Sequence, residues 1–278
     1  MNECHQWLNC QEIDTELVVN EQIGEGAVKK VYLGQWKENT IVINKVKNPN
    51  FRDDFQDGLT NLMNFQPDTH VVQLIGYCWD SDLFITEYHE LKSADRIEQI
   101  FYKNQHLDHL QKRFELCLKY IEIINFLHTG LNETRVMCDS NEPHKALSQL
   151  LVRDDLSLIL NDADALPQVN RSRNELIKCG HKELTGAYVA PEQLWPFDST
   201  FSDSHMPGYD EKTDIWKIPD VCKVLFNERP GSTGLLLKLF DINSRCKNEN
   251  PLERPTAQEV YLMYQKVYNN IFNINHFE

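Results

Sequence analysis

Hydrophobic alternation organises the first ninety or so residues. Apolar and polar positions alternate on both sides of Gly24-Glu25-Gly26, so residues 17–36 predict a strand, a Gly-rich turn and a second strand. Thr40 to Val46 is a third strand, with Val42 and Asn44 on one face and Ile41, Ile43 and Lys45 on the other. Phe51, Phe55, Leu59, Leu62 and Met63 then recur at helical spacing and predict a helix over 51–65, weakened by Gly58. Beyond Pro67, residues 71–77 and 82–88 read as two more strands, completing a five-stranded antiparallel sheet with one helix. Past residue 90 the pattern turns helical. Phe114, Cys117, Leu118, Ile121, Ile124 and Leu127 mark a helix that is apolar on its flanks as well, hence buried nearly all round, and Gly130 ends it. Leu150-Leu151-Val152 and Leu158-Ile159-Leu160 flank the polar turn Arg153-Asp154-Asp155 and predict a small hairpin. A loop-like stretch and further helix follow. Residues 1–16 show little periodicity and read as an N-terminal arm, tied down if Cys4 or Cys10 pairs.

The hairpin carries the first candidate chemistry. Antiparallel pairing sets Gln149, before its first strand, near Asp162, after its second, with Asp139 on the loop that enters it. Grouped oxygen donors of this kind suit a hard cation such as Mg²⁺. Gly24 and Gly26 would let backbone amides approach a phosphate, although Gly-x-Gly also occurs in plain hairpin turns. A dinucleotide-binding crossover requires a helix after the glycines, whereas here a strand follows.

Composition narrows the classes. The 278 residues carry a formal net charge of -14 and no long basic run, which excludes an extended nucleic-acid surface. No apolar run approaches the ~18 residues of a membrane span. The stretch MNECHQWLNC lacks the basic and apolar regions of a signal peptide, so the covered chain is expected to be soluble. None of the eight cysteines has C-x-x-C spacing, which argues against zinc. Cys117, inside an apolar helical pattern, reads as a core thiol. Two glycosylation sequons, at Asn132 and Asn170, together with an even cysteine count lean towards the secretory pathway.

Four motifs then fall in a telling order. Glu87-Tyr88-His89 follows Thr86, Thr185 to Glu192 ends in Ala-Pro-Glu, Tyr209 to Trp216 ends in Asp-Ile-Trp, and Asn250 to Thr256 contains Arg-Pro. Together they resemble the protein kinase-like family from about residue 17 to 270. The resemblance implies an α+β, bilobal fold: a small lobe (17–88) with the five-stranded sheet and one helix, and a mainly helical large lobe (89–278). It also implies that Glu192 and Arg254 form a buried structural pair and that Asp214 is structural.

Departures from the family pattern concentrate at the site. His-Arg-Asp becomes Met137-Cys138-Asp139, which removes the arginine on which an activating phosphate docks. Gln149 stands where the family has Asn, ten residues after Asp139 instead of about five. Asp-Phe-Gly becomes Asp162-Ala163-Asp164. Asn44 faces the cleft where strand three usually presents lysine, and Lys29 replaces the third glycine of the turn. Kinases of the with-no-lysine type are similar, which implies Lys29 as the phosphate-binding cation, with Lys45 second through a register slip. The helical glutamate aligns with Gly58, leaving Asp57 or Asp54 as substitutes.

The segments MCDSNEPHKALSQLLV, LILNDADALP, TGAYVAPEQLWP and DIWKIPDVCKVLF further resemble the O-mannose kinases, an atypical branch of the family. That resemblance implies ATP as phosphate donor with Mg²⁺, or Mn²⁺ in its place, on Gln149 and Asp162. The adenine would lie on backbone groups of Glu87 and His89, the phosphates on Lys29 beside Gly24 and Gly26, and the acceptor hydroxyl on Asp139. The implied acceptor is the 6-hydroxyl of mannose in the GalNAc-β3-GlcNAc-β4-mannose glycan of α-dystroglycan. The implied setting is the endoplasmic reticulum lumen, with a type II membrane anchor outside the covered chain. Sugar contacts are expected at 140–148 and 196–208, and disulfides at Cys138–Cys179 and Cys222–Cys246. The rival classes are an inactive scaffold and an atypical Ser/Thr protein kinase.

Overall fold

The computed structural model describes residues 6–130, 133–170, 173 and 175–272. The chain divides into two compact units: residues 1–90 with 159–165, and residues 91–158 with 166–278.

In the first unit, helix α1 (Cys10–Glu16) opens with a capping box, in which Asn9 accepts from the Glu12 N–H and Glu12 accepts from the Asn9 N–H. Strands β1 (Leu17–Glu25), β2 (Lys29–Trp36), β3 (Asn39–Val46), β4 (Leu74–Cys78) and β5 (Leu83–Glu87) form one antiparallel sheet in the order β1-β2-β3-β5-β4. Helix α2 (Arg52–Phe65) buries Phe55, Leu59 and Leu62 of the predicted stripe and Phe65 besides, whereas Phe51 is exposed and Met63 half-buried. β4 begins at Leu74 instead of residue 71, because Val71 pairs singly with Leu160.

Residues 6–16 are more than an arm, while Cys4 lies outside the described residues. Leu8 lies flat on β4: its N–H donates to the Ile75 carbonyl at 2.9 Å and its carbonyl accepts from the Tyr77 N–H at 3.0 Å. Gly76 permits this approach, since a Cβ there would sit 2.8 Å from the Leu8 carbonyl oxygen. Leu8 and Ile13 join the core under the sheet, and a Cys10–Cys78 disulfide fixes α1 to β4. Two apolar side chains in so short a run carry no period to detect.

The second unit contains α3 (Ile97–Lys103), α4 (Leu110–Thr129), β6 (Thr134–Arg135), α5 (Pro143–Ser148) and the strands β7 (Leu150–Val152) and β8 (Leu158–Leu160) of the predicted hairpin, at whose second strand the units divide. Then come β9 (Gln168–Val169), paired with β6, and helices α6 (Lys212–Phe226), α7 (Ser232–Lys238), α8 (Phe240–Cys246) and α9 (Ala257–Phe272). α4 runs beside α6 and α9, and Phe114, Leu116, Ile121 and Ile124 along it are fully buried. Cys117 is not a free core thiol: it is bonded to Cys222 of α6. The expected Cys222–Cys246 pair is therefore absent, and Cys246 is a buried free thiol on α8. Which of two buried cysteines faces α4 depends on helix rotation, and spacing along the chain does not encode that. Cys138 and Cys179 are bonded as expected.

Candidate active site

Lys29 opens β2, immediately after the Gly-rich turn, where the Gly26 N–H donates to the Lys29 carbonyl at 2.9 Å. Gly24 pairs in register with Val31. The Lys29 side chain is buried, and its ammonium donates to Asp162 Oδ1 at 2.8 Å and Asp164 Oδ1 at 3.1 Å. The Phe84 ring lies 5.8 Å from that ammonium. Burial by itself would lower the lysine pKa, but the two carboxylates more than offset it and hold Lys29 firmly protonated. Asp162 resists its own desolvation through the Lys29 charge and stays below the usual carboxylate range. Asp164 moves the other way: burial raises it, the Lys29 charge restrains the rise and the adjacent Asp162 adds to it.

Asn44 occupies the inner face of β3 and donates to Thr86 Oγ1 at 3.4 Å, while Lys45 points over the Tyr32 ring at 5.9 Å. The cation among the acids is thus Lys29 and not Lys45. Neither Asp54 nor Asp57 supplies the missing helical glutamate. Both are exposed on α2 and neither pairs with Lys29. Asp164 takes that part from the opposite direction. A Cβ on Gly58 would fall on Asp164 Oδ1 and stand 3.2 Å from its Cα, so only glycine leaves room for this carboxylate. Asn61, one turn along α2, donates to the Ala163 carbonyl at 3.0 Å and fixes the same segment. The second acid of Asp162-Ala163-Asp164 is the signal that could have identified the partner.

At the end of β5, Glu87 Oε1 accepts from the Gln73 N–H at 2.9 Å and lies 3.4 Å from His89 Nε2. The Glu87 N–H donates to the Gln73 carbonyl.

In the second unit, Asp214 near the start of α6 holds the segment leading to Asp139. It is buried, and its Oδ2 accepts from the Met137 N–H at 3.0 Å and lies 3.2 Å from His128 Nε2. Behind Asp139, Ser140 Oγ donates to the Met137 carbonyl, and the buried Lys217 ammonium donates to Ser140 Oγ at 2.7 Å. Burial lowers the Lys217 pKa, opposed by the Asp214 charge. The Cys138–Cys179 disulfide ties this turn to the segment before Ala-Pro-Glu. The Asp139 carboxylate itself is accessible and pairs with Lys145 Nζ at 2.7 Å.

Residues 140–148 are built around α5, with Ala146 and Leu147 fully buried. Gln149 closes the helix: its Nε2 donates to the Lys145 carbonyl and to Ser148 Oγ, both at 3.1 Å. Its Oε1 takes no hydrogen bond among the described residues, and both N–H donors to Asp162 land on Oδ1, leaving Oδ2 without one. Each is a hard oxygen donor of the kind a divalent cation takes, with its other atoms already oriented. Gln149 belongs to the second unit and Asp162 to the first.

The scaffold pair is bidentate. Arg254 donates from Nη1 to Glu192 Oε1 at 2.6 Å and from Nη2 to Oε2 at 2.8 Å, and its Nε donates to the Asn248 carbonyl. In the 196–208 region, Phe197 and Phe201 pack edge-on against Trp195. Of the two sequons, Asn132 lies outside the described residues, and Asn170 Oδ1 accepts from the Arg173 N–H at 3.2 Å.

The model of the protein tyrosine and serine/threonine kinase family matches residues 17–218. Human protein O-mannose kinase is 47% identical over 275 residues, 98% of this chain and 78% of the human protein. The chicken protein of the same name is 47% identical over 268 residues, 95% of this chain and 76% of its own length. A probable receptor-like protein kinase of Arabidopsis thaliana is 26% identical over 144 residues, 51% of this chain and 16% of its own length. Kinases of this family use ATP and a divalent metal. The chain belongs to the protein kinase family, in the branch of the protein O-mannose kinases.

Proposed function

We propose that this chain transfers the γ-phosphoryl group of ATP to the 6-hydroxyl of an O-linked mannose, within the GalNAc-β3-GlcNAc-β4-mannose glycan of α-dystroglycan. What supports this reading is that the groups phosphoryl transfer needs are each present and prepared within their own unit: Lys29 held charged by two carboxylates in the first, and Gln149 with an unengaged amide oxygen and an accessible Asp139 in the second. A decayed scaffold has no reason to reserve glycine at position 58 for the carboxylate that partners Lys29.

In this mechanism Lys29 neutralises the nucleotide phosphates. Asp162 and Gln149 would hold Mg²⁺, or Mn²⁺ in its place, which supplies charge neutralisation on the phosphate oxygens. Asp139 orients the sugar hydroxyl and accepts its proton as the O–P bond forms. Backbone groups at Glu87 and His89 receive the adenine. Positioning and fixed charges supply most of the rate. Cys138 stands in place of the arginine before Asp139 and is bonded to Cys179, which suits an enzyme that is not switched by phosphorylation. Three disulfides among the described residues suit an oxidising compartment, and we assign the chain to the endoplasmic reticulum lumen, in a protein held to the membrane.

The test is mass spectrometry of the trisaccharide incubated with the protein, ATP and Mg²⁺, alongside a panel of serine and threonine peptides. A gain of one phosphate on mannose O6 is expected, and Asp139→Ala should abolish it while leaving ATP binding intact. Robust labelling of peptides without labelling of sugar would overturn the assignment.

A further inference from the structure

The turn that carries Asp139 is gripped at both ends by one helix. Asp214, in the first turn of α6, accepts from the Met137 N–H at its entry, and Lys217, one helical turn further on, donates to Ser140 Oγ at its exit. Between these anchors the turn closes on itself. The Ser140 N–H donates to the Cys138 carbonyl at 2.7 Å, and the Ser140 hydroxyl donates to the Met137 carbonyl. Ser140, Asp214 and Lys217 are all buried, whereas the Asp139 side chain is 43% exposed, so the carboxylate projects from a turn whose anchors never meet solvent.

The lysine sets the direction of these bonds. An ammonium can only donate, so Ser140 Oγ accepts from Lys217 and has its single hydrogen left for the Met137 carbonyl. A hydroxyl polarised by a charged donor makes the stronger onward bond. Stability does not account for a cation here. Burial opposes the charged form of Lys217, and a buried ammonium offsets its desolvation best beside a carboxylate. Asp214 Oδ1 is buried, takes no hydrogen bond among the described residues and lies 4.0 Å from that ammonium. The short bond, at 2.7 Å, goes instead to the neutral serine. The lysine thus forgoes its better electrostatic partner to hold the turn under Asp139.

We infer that Lys217 is a positioning residue of this kinase, acting through Ser140 to fix the turn from which Asp139 meets the acceptor hydroxyl. The inference rests on the function proposed above. Buried behind the turn, Lys217 acts on the reaction through the backbone of residues 137–140 alone. With the ammonium gone, the Ser140 hydroxyl is free to rotate and the Met137 carbonyl loses its fixed donor. Asp139 then keeps its chemistry and loses its aim.

The experiment compares Lys217→Met, Ser140→Ala and the double variant with wild type, and Asp139→Ala as control. Methionine keeps the unbranched shape of lysine and removes its charge. Steady-state kinetics use ATP, Mg²⁺ and the trisaccharide, and thermal unfolding is followed on the same samples. Lys217→Met should lose about 100-fold in kcat, the scale of moving a catalytic group by ~1 Å. Ser140→Ala should lose a similar factor, and the double variant no more than either single one, because both substitutions break one chain of bonds. KM for ATP should stay within about twofold. The unfolding midpoint of Lys217→Met should hold or rise, since an apolar side chain replaces a buried charge. A merely structural lysine would lower kcat and midpoint together. That result, an unchanged kcat in Lys217→Met, or losses that multiply in the double variant overturns the inference and leaves the proposed function standing. Should Lys217→Met fail to fold, Ser140→Ala decides: an unchanged kcat there overturns the inference, and a loss at an unchanged midpoint upholds it. An active Asp139→Ala, or a wild type that phosphorylates no sugar, overturns the proposed function and this inference with it.

Discussion

Gly58→Ala is the substitution that isolates the rebuilt lysine partner. In an ordinary helix interior, alanine in place of glycine stabilises by ~1 kcal/mol. At this position the added methyl would land on Asp164 Oδ1 and crowd its Cα at 3.2 Å, and overpacking of a buried site costs ~1–3 kcal/mol. The two effects oppose, so the variant should be neutral to about 2 kcal/mol less stable, with the methyl pushing Asp164 off Lys29. In an Asp164→Ala background the clash with the carboxylate is gone and only the 3.2 Å approach to the Cα remains, so the same substitution should stabilise by up to ~1 kcal/mol. The double-mutant cycle should therefore give a coupling of about 1–3 kcal/mol between two residues far apart in sequence. Urea denaturation of the four proteins measures it, and titration with ATP and Mg²⁺ should show weaker binding in Gly58→Ala. Equal stabilisation in both backgrounds, with unchanged nucleotide affinity, would show that Asp164 does not depend on the missing side chain.

Other perturbations test the frame and its electrostatics. Arg254→Ala strands Glu192 and should cost ~3–5 kcal/mol in urea unfolding, as for other broken buried pairs; a loss under 1 kcal/mol would make the pair incidental. Replacing Cys117 and Cys222 together by serine opens a link across 105 residues and should cost ~2–4 kcal/mol, whereas Cys246→Ser should leave the number of disulfides unchanged by mass spectrometry. Asp164 binds its proton more tightly folded than unfolded, so rising pH above the ordinary value of 3.8 withdraws stability from wild type but not from Asp164→Asn. Without nucleotide or metal, the stability margin of Asp164→Asn over wild type should widen between about pH 4 and 8; a flat or shrinking margin would contradict the raised carboxyl.

Alternation and helical period revealed the sheet and α2 because each buries one face against one partner, which leaves a periodic trace. Lys29 was legible since cation and glycine positions in a turn are local facts. Leu8 and Ile13 were not, because two buried residues make no period, and their burial depends on β4 lying alongside. The Asp164–Gly58 contact was hidden for another reason. A glycine in a helix reads as a weak helix former, and its meaning appears only once a distant carboxylate occupies the vacated space. The partner of Cys117 was hidden in the same way, by a helix rotation.

Four of the departures from the family pattern, at positions 29, 44, 58 and 164, amount to one change. Kinases ordinarily place lysine on strand three and its glutamate on the helix. Here Asn44 keeps the strand-three position filled and hydrogen-bonded without charge, and the cation arrives from the first residue of β2. A cation entering from the turn meets carboxylates of the Asp162–Asp164 segment, so the helix no longer has to supply one and must stay out of the way, which Gly58 does. Restoring any single member of the usual set spoils this balance. Asn44→Lys would add a second buried ammonium beside Lys29, and Gly58→Glu would force a third carboxylate into the space of Asp164. Each would crowd another buried charge into a cluster that is already filled, and Gly58→Glu would leave a carboxylate uncompensated, at a cost of several kcal/mol. Only a concerted reversal of all four could return the usual arrangement, and for that reason the charge state of the site, rather than the identity of its residues, is what the fold preserves.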